Sequence, residues 1–265
     1  MSVYNPDSRE VFFAAVNSII SQSFKDWEMI MYDDGSDEKG KQLIKEAAAL
    51  DPRIIYVRGE ENRGLGYGIN ESVNHSSGKY LARMDADDIS LPERFACQFA
   101  FLEENPQYHW VGCSANLINL RGIWGTWFVP EEPSKNDFLS YSPFIHPSVM
   151  FRREVLENEK YSTDNKRAED YELFMHLYAC GYKGYNMRKI LFSYREEKVS
   201  YKKRSFRSLM NEVRVRHRGY KELGILTPAA YRHVLKPVVL MIIPNCILAE
   251  IKRKKRKGDY VAGQK

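Results

Sequence analysis

Tyr80-Leu81-Ala82-Arg83-Met84-Asp85-Ala86-Asp87-Asp88 is a short, largely apolar run that ends in three carboxylates within four residues. Tyr80 to Met84 reads as a buried strand, and the acidic cluster falls at its carboxyl end. The same order appears upstream. Met29 to Tyr32 is an apolar run of strand length followed by Asp33-Asp34-Gly35-Ser36, and Ile54 to Val57 is another. Helical spacing separates them: Val11, Ala15 and Ile19 repeat on one face, and Lys39 to Leu50 carries an apolar stripe of Leu43, Ile44, Ala47 and Ala48. Asn62-Arg63-Gly64-Leu65-Gly66 is a turn with a helix from Tyr67 to Asn74 behind it. Pro92 then opens a helix that Asn105-Pro106 stops. Strands alternating with crossover helices predict an α/β fold, a mostly parallel sheet flanked by helices.

The chain begins abruptly. Met1-Ser2-Val3-Tyr4-Asn5 reads as the last residues of a strand running into a turn at Asn5-Pro6, whereas an interior strand needs roughly four to six more apolar residues. The expectation is that the native start lies upstream of Met1. Past residue 115 the rhythm loosens. Strand candidates at Ala115 to Ile118, Val149 to Arg152 and Leu191 to Tyr194 surround one clear helix, Glu169 to Cys180. From Arg204 the chain reads as helical and basic, then strongly apolar from Pro237 to Ile251.

The 265 residues are 43% hydrophobic, with 17 Tyr and 13 Phe, enough for a sizeable core in one domain with a helical appendage. The net charge of +5 comes from one place. Lys252 to Lys257 supplies six positive charges, and +5 less those six leaves −1 for the rest. A basic tail on a near-neutral body argues against a nucleic-acid-binding face. The four scattered cysteines, Cys97, Cys113, Cys180 and Cys246, read as small buried apolar residues in a reducing, cytoplasmic setting. No secretory-signal pattern opens the chain, and no apolar run reaches the length of about 18 residues that spans a bilayer.

In open α/β sheets, ligands bind beyond the carboxyl ends of the strands. Three polar clusters sit at such ends: Ser2-Tyr4-Asn5, Asp33-Asp34-Gly35-Ser36 and Asp85-Ala86-Asp87-Asp88. In the last, two unit charges about 4 Å apart repel by roughly 4 kcal/mol at an effective dielectric near 20. A hard divalent cation removes that penalty and bridges to phosphate oxygens. The competing reading makes Asp88 the cap of the helix opened by Pro92 and leaves the other two solvated.

Taken in order, Ser-Val-Tyr-Asn from Ser2, Ser-Ile-Ile-Ser-Gln-Ser-Phe-Lys-Asp-Trp-Glu from Ser18, Tyr-Asp-Asp-Gly-Ser from Tyr32, Asn-Arg-Gly-Leu from Asn62 and Asp-Ala-Asp-Asp from Asp85 resemble the family 2 glycosyltransferases. The likeness continues through Phe144-Ile145-His146-Pro147-Ser148, Ala168-Glu169-Asp170-Tyr171-Glu172-Leu173 and Tyr194-Arg195. It implies a GT-A fold over residues 1–200. A Rossmann-like nucleotide-sugar-binding half would span 1–115 and an acceptor-binding half 116–200, followed by a helical, basic extension over 201–265.

The resemblance also implies roles. Ser2 and Tyr4 would sit by the nucleobase, and Asp34 would accept from the uracil ring nitrogen. Arg63 would approach the base or the phosphates, a solvated surface arginine being the alternative. Asp85 would contact the ribose side, and Asp87 would bind the metal, Mn²⁺ or Mg²⁺. Asp33 is either a second contact or a turn former. Asp170 is the expected catalytic base of a metal-dependent, inverting transfer from a UDP-sugar, the alternative being that Glu169 and Asp170 only complement a helix dipole. His146 is either a loop ligand or a hydrogen-bonded structural residue.

The Gln-x-x-Arg-Trp motif of processive synthases is missing from the sequence, which favours addition of one sugar to a glycan or lipid-linked acceptor in surface polysaccharide biosynthesis. Trp124, Trp127 and Phe128 are either a sugar-stacking surface or core. The apolar stretch after Pro237 with its polybasic flank reads either as an interfacial anchor for an anionic membrane, peripheral at the inner face, or as a helix packed on the body. Two rival functions remain: an inactive nucleotide- or glycan-binding module on this fold, and a nucleotidyltransferase, which usually carries a Gly-rich basic phosphate loop that this chain lacks.

Overall fold

The computed structural model describes residues 1–164, 168–196 and 206–242. In chain order these form β1 Ser2–Val3, α1 Arg9–Ile20, β2 Met29–Asp33, α2 Glu38–Ala48, β3 Ile54–Arg58, α3 Leu65–Asn74, β4 Tyr80–Ala82, β5 Ile89–Ser90, α4 Arg94–Glu104, β6 Trp110–Asn119 and β7 Gly122–Trp127. There follow β8 Met150–Arg152, α5 Arg153–Asn158, α6 Glu169–Ala179, β9 Gly184–Arg195, α7 Phe206–Glu222, α8 Tyr231–Val234 and α9 Lys236–Ile242. The helices of the first half start where short polar side chains satisfy free amides: Ser8 accepts from the Val11 amide, and Asp37 from that of Gly40. All five residues of β2 are buried, as a strand covered on both faces requires.

Two sheets result. β1, β2 and β3 pair in parallel, in that order. The second sheet runs β4-β8-β6-β9-β5, with β7 on β6. The α/β class and the flanking helices hold, but parallel pairing is confined to the first sheet and the β6–β9 ladder. β4 and β6 meet β8 antiparallel, as do β5 with β9 and β6 with β7. The reason is local for β7. It leaves β6 through a tight turn that ends at Gly122, φ +106°, and so short a connection forces an antiparallel return. β1 closes one sheet and β4 the other, and a cavity of about 400 Å³ lies between them, with Ser2, Arg83 and Tyr161 in its wall.

One core cluster fills the first half, from Val3, Phe12 and Met31 to Val111 and Phe192. The second gathers around Trp110, Phe144, Phe151 and Phe174. α7 and α8 belong to it: Leu209, Val215, Tyr220, Leu223 and Val234 are buried there beside Phe138 and Tyr171. The helical extension, as far as residue 242, is therefore packed on the body. The basic run and the rest of the apolar stretch lie outside the described residues. Cys97 is half-buried and Cys113 buried, but Cys180 is exposed at the end of α6, against the expectation of uniformly buried thiols.

Arg94 is a buried cation that the sequence reading passed over. Fully enclosed, it donates to the Arg83 carbonyl at 2.8 Å, to that of Val149 at 3.3 Å and to Gln98 Oε1 at 3.0 Å. Gln98 in turn donates to the carbonyls of Val111 and Ser148. α4 is thus bolted to the backbone of the residues just before the acidic cluster. Arg94→Met fills the volume but strands the Arg83 carbonyl and Gln98 Oε1, so a loss of about 3 kcal/mol is expected in denaturant unfolding. A midpoint equal to that of the wild type would show that the network contributes nothing.

Candidate active site

The ends of β1 and β2 are tied together. The Asp34 amide donates to the Val3 carbonyl, the Asn5 amide to Ser36 Oγ, and the Asp37 amide to Asn5 Oδ1. Gly35 turns the chain at φ +74°, and a Cβ there would lie 2.4 Å from the Glu61 carbonyl carbon, so only glycine lets the two loops meet. Asp34, almost wholly buried, accepts from the amides of Arg63 at 3.0 Å and Gly64 at 2.8 Å. Ser2 presses its hydroxyl against Gly68 of α3, Tyr4 is half exposed, and the exposed Arg63 stacks its guanidinium 3.8 Å above the Tyr67 ring. Asp34 and the Arg63 backbone therefore meet beyond the carboxyl end of β2, Ser2 lies against α3, and Tyr4 follows β1 with its ring half exposed. Asp33 does not join them. Its carboxylate takes the Ser36 amide, the Tyr56 hydroxyl and the Arg58 guanidinium, which is the turn-forming reading.

Beyond β4 the acidic cluster begins beside a second buried cation. Arg83 donates to Asp85 Oδ1 at 2.6 Å, to the Met84 carbonyl beside it, and is itself buried. Asp87 opens to the surface, yet the protein packed around it and the Asp85 charge push its carboxyl up to about 6. Asp88 is no helix cap. α4 begins at Arg94 behind Glu93, with no side-chain cap bond. Asp88 is buried instead, accepting the Arg195 amide at 2.6 Å through Oδ1, while Oδ2 has no partner among the described residues. Burial, then Asp85 and Asp87, raise its carboxyl well above the usual carboxylate range. Arg195 also donates from Nε to the Asp87 carbonyl at 2.7 Å, fastening the cluster to the end of β9.

Across the cleft α6 starts from Ala168, which sits at φ +63° without a side-chain cap bond. That left-handed start aims Glu169 and Asp170 inward. Burial and the Asp170 charge push Glu169 up to about 7, and its Oε2 has no partner among the described residues. Burial raises Asp170 as well, against the pull of the amides of Tyr171 and Asp170 itself. Arg83 and Asp85 both act electrostatically on Asp170, so α6 starts near the acidic cluster. His146 stands on the same side. It is buried near Arg83, which together hold it neutral, and its Nε2 lies 2.7 Å from the Tyr161 hydroxyl. This is the structural role for the histidine. Tyr161 is in turn pinned by a two-way backbone–amide pair with Asn70 of α3. Arg83 and Tyr161 were missed in the sequence. The signal was an arginine inside an apolar strand, a position that is costly without a carboxylate partner.

The donor set suits a divalent cation. Asp85, Asp87 and Asp88 supply hard oxygens, the Asp85 charge helps raise the carboxyls of Asp87 and Asp88, and an unpartnered buried oxygen on Asp88 is a group that a cation would satisfy. Farther out, Trp127 packs edge-to-face on Tyr194 at 5.6 Å against the first core, whereas Phe128 is exposed.

Comparisons with known proteins agree with this architecture. EpsE of Bacillus subtilis (strain 168), named as a glycosyltransferase, is 29% identical over 259 residues, covering 96% of this chain and 92% of its own. An Escherichia coli UDP-Gal:alpha-D-GlcNAc-diphosphoundecaprenol beta-1,3-galactosyltransferase is 25% identical, with 96% and 94% covered. Staphylococcus aureus TarS (residues 1–349), solved with UDP-GlcNAc, superposes with a TM-score of 0.67 at 18% identity over 89% of this chain and 71% of that one, which establishes a shared GT-A fold. The sequence model described as "Glycosyl transferase family 2" matches residues 1–159, and the chain belongs to that family.

Proposed function

We propose that the protein transfers one sugar, with inversion, from a UDP-sugar to a hydroxyl of a glycan or lipid-linked acceptor. The observation that carries this reading is that Arg83, ion-paired with Asp85 at the acidic cluster, also lies close enough to the buried Asp170 to act on its charge. Family membership and relatives in polysaccharide, O-antigen and teichuronic acid biosynthesis support it. Ser2, Tyr4, Asp34 and Arg63 would hold the nucleoside, with Asp85 toward the ribose. Asp87, and by its unpartnered oxygen Asp88, would hold Mn²⁺ or Mg²⁺. When bound, that cation neutralises charge on the departing diphosphate. Asp170 takes the proton of the acceptor hydroxyl as its oxygen attacks the anomeric carbon; the bond from that carbon to the diphosphate oxygen breaks, and UDP leaves. A partly raised basicity at Asp170 suits it to hold that proton.

A panel of nucleotide sugars, each added with and without Mn²⁺ in a thermal-shift assay, tests the reading. A Mn²⁺-dependent rise in Tm with a UDP-sugar is expected, and release of free sugar from it would set aside an inactive binding module. A response to no nucleotide sugar in either condition would overturn the proposal.

A lipid-linked acceptor would place the enzyme at a membrane. No helix among the described residues is long and apolar enough to cross one. However, Tyr231 on α8, Leu235 at the bend after it and Val239 on α9 follow one another at four-residue spacing, each 43–56% exposed, beside Arg232 and Lys236. An apolar stripe with basic neighbours fits an anionic surface. The protein is expected to pellet with anionic vesicles, and Leu235→Glu with Val239→Glu to lower the bound fraction severalfold. Equal pelleting of both proteins would dismiss the stripe as the contact.

A further inference from the structure

Away from the carboxylate cleft, Glu159, His176 and Cys180 bring an oxygen, a nitrogen and a sulfur within 4.8 Å of one another. His176 and Cys180 lie four residues apart at the end of α6, and therefore on one face of it. Glu159 ends α5. His176 Nε2 is 2.9 Å from Glu159 Oε2 and 3.6 Å from Cys180 Sγ. Tetrahedral zinc at its usual bond lengths sets nitrogen and sulfur ligands about 3.6 Å apart, and nitrogen and oxygen about 3.4 Å apart. The nitrogen–sulfur spacing is already that of a zinc site, and the Glu159 carboxylate, a quarter exposed, has only a short way to withdraw. On the other side of the ring, Nδ1 faces Glu222 of α7 at 3.8 Å, where an outer carboxylate commonly orients a metal-bound imidazole. The Glu159–His176 hydrogen bond explains two of these groups without a metal. Helical spacing sets the thiol on the same face, and its sulfur lies at a zinc-ligand spacing from that same nitrogen.

We propose that Glu159, His176 and Cys180 form a binding site for a borderline-soft divalent cation of the zinc class, with Glu222 orienting the histidine and water as the fourth ligand. Mixed nitrogen, sulfur and oxygen donors favour zinc over the hard ions suited to the Asp85 cluster, so the two sites select different metals. The stretch of chain between Glu159 and His176 carries Tyr161, Glu169 and Asp170. A cation joining its two ends would hold α5 against α6 and fix the segment that presents Asp170.

Cobalt titration of the chelator-stripped full chain is the test, since Co²⁺ adopts zinc geometry and reports a thiolate ligand by a near-ultraviolet charge-transfer band. One equivalent is expected to produce that band together with visible bands of four-coordinate cobalt, and Zn²⁺ to abolish both. Cys180→Ser should lose the ultraviolet band, and His176→Ala should bind at least about 100-fold more weakly. Zn²⁺ should raise the Tm of the wild type and of Asp87→Asn equally, and not that of His176→Ala. Absence of the band, its persistence in Cys180→Ser, or an equal Tm rise in His176→Ala would overturn the site. None of these readouts involves sugar transfer, so failure here leaves the proposed reaction standing.

Discussion

Asp170→Asn is expected to bind a UDP-sugar as the wild type does and to turn it over about 10³-fold more slowly, the middle of the range for loss of a positioned general base. The amide keeps the size of the carboxylate and its hydrogen bonds to the first turn of α6, so folding and donor affinity should be preserved. It cannot accept the acceptor's proton. The same residue sets the acid limb of the rate. Asp170 must be deprotonated to act, and burial raises its carboxyl above the ordinary value, with Glu169, pushed up to about 7, beside it. Turnover should therefore fall with acid at a pH above the one at which a solvated aspartate would protonate. Steady-state rates with saturating donor over a pH series give both results. Full transfer by the Asn variant would remove Asp170 from the chemistry, and Glu169, whose buried Oε2 has no partner among the described residues, would then be the group to test.

The strand-end clusters could be read from the sequence because their information is local. An apolar run followed at once by Asp-Asp-Gly-Ser or Asp-Ala-Asp-Asp marks both a strand and what lies beyond its end, and β2, β3 and β4 stand within two residues of where that reading put them. The misreading of Asp88 has the opposite origin. A cap is a local hypothesis, and Asp88 precedes a helix closely enough to suggest one, but its partner is the Arg195 amide 107 positions away. Arg94 was invisible for the same reason: it is an arginine in an apolar context whose cost is offset by carbonyls from other elements, that of Val149 among them, whereas Arg83 has its carboxylate only two residues on, at Asp85. The mixed second sheet was also out of reach. β6 joins β9 in parallel across more than sixty intervening residues and β7 antiparallel through one turn, and only the turn had a sequence mark, Gly122.

Asp87→Asn should have two effects of opposite sign. Donor binding that depends on Mn²⁺ should disappear, and transfer with it by a factor of about 10³ or more, because the residue expected to hold the cation no longer carries a charge. Without metal the same variant should be the more stable protein near neutral pH. In the folded chain Asp87 titrates at about 6, above the unfolded aspartate, since the surrounding protein and Asp85 disfavour its charge. Between the unfolded and folded values the native state holds the extra proton, so the wild type loses stability as pH rises through that window, and the loss is complete above about 6. An uncharged side chain does not suffer it. Metal-free thermal melts at pH 7.5 should therefore place Asp87→Asn above the wild type, with the gap closing toward pH 4, and Mn²⁺ should raise the wild type alone. Equal melts at pH 7.5 would mean that Asp87 is well solvated and outside the strained cluster. A Mn²⁺ response retained by the variant would instead leave the ligand role to Asp88, whose buried Oδ2 has no partner among the described residues.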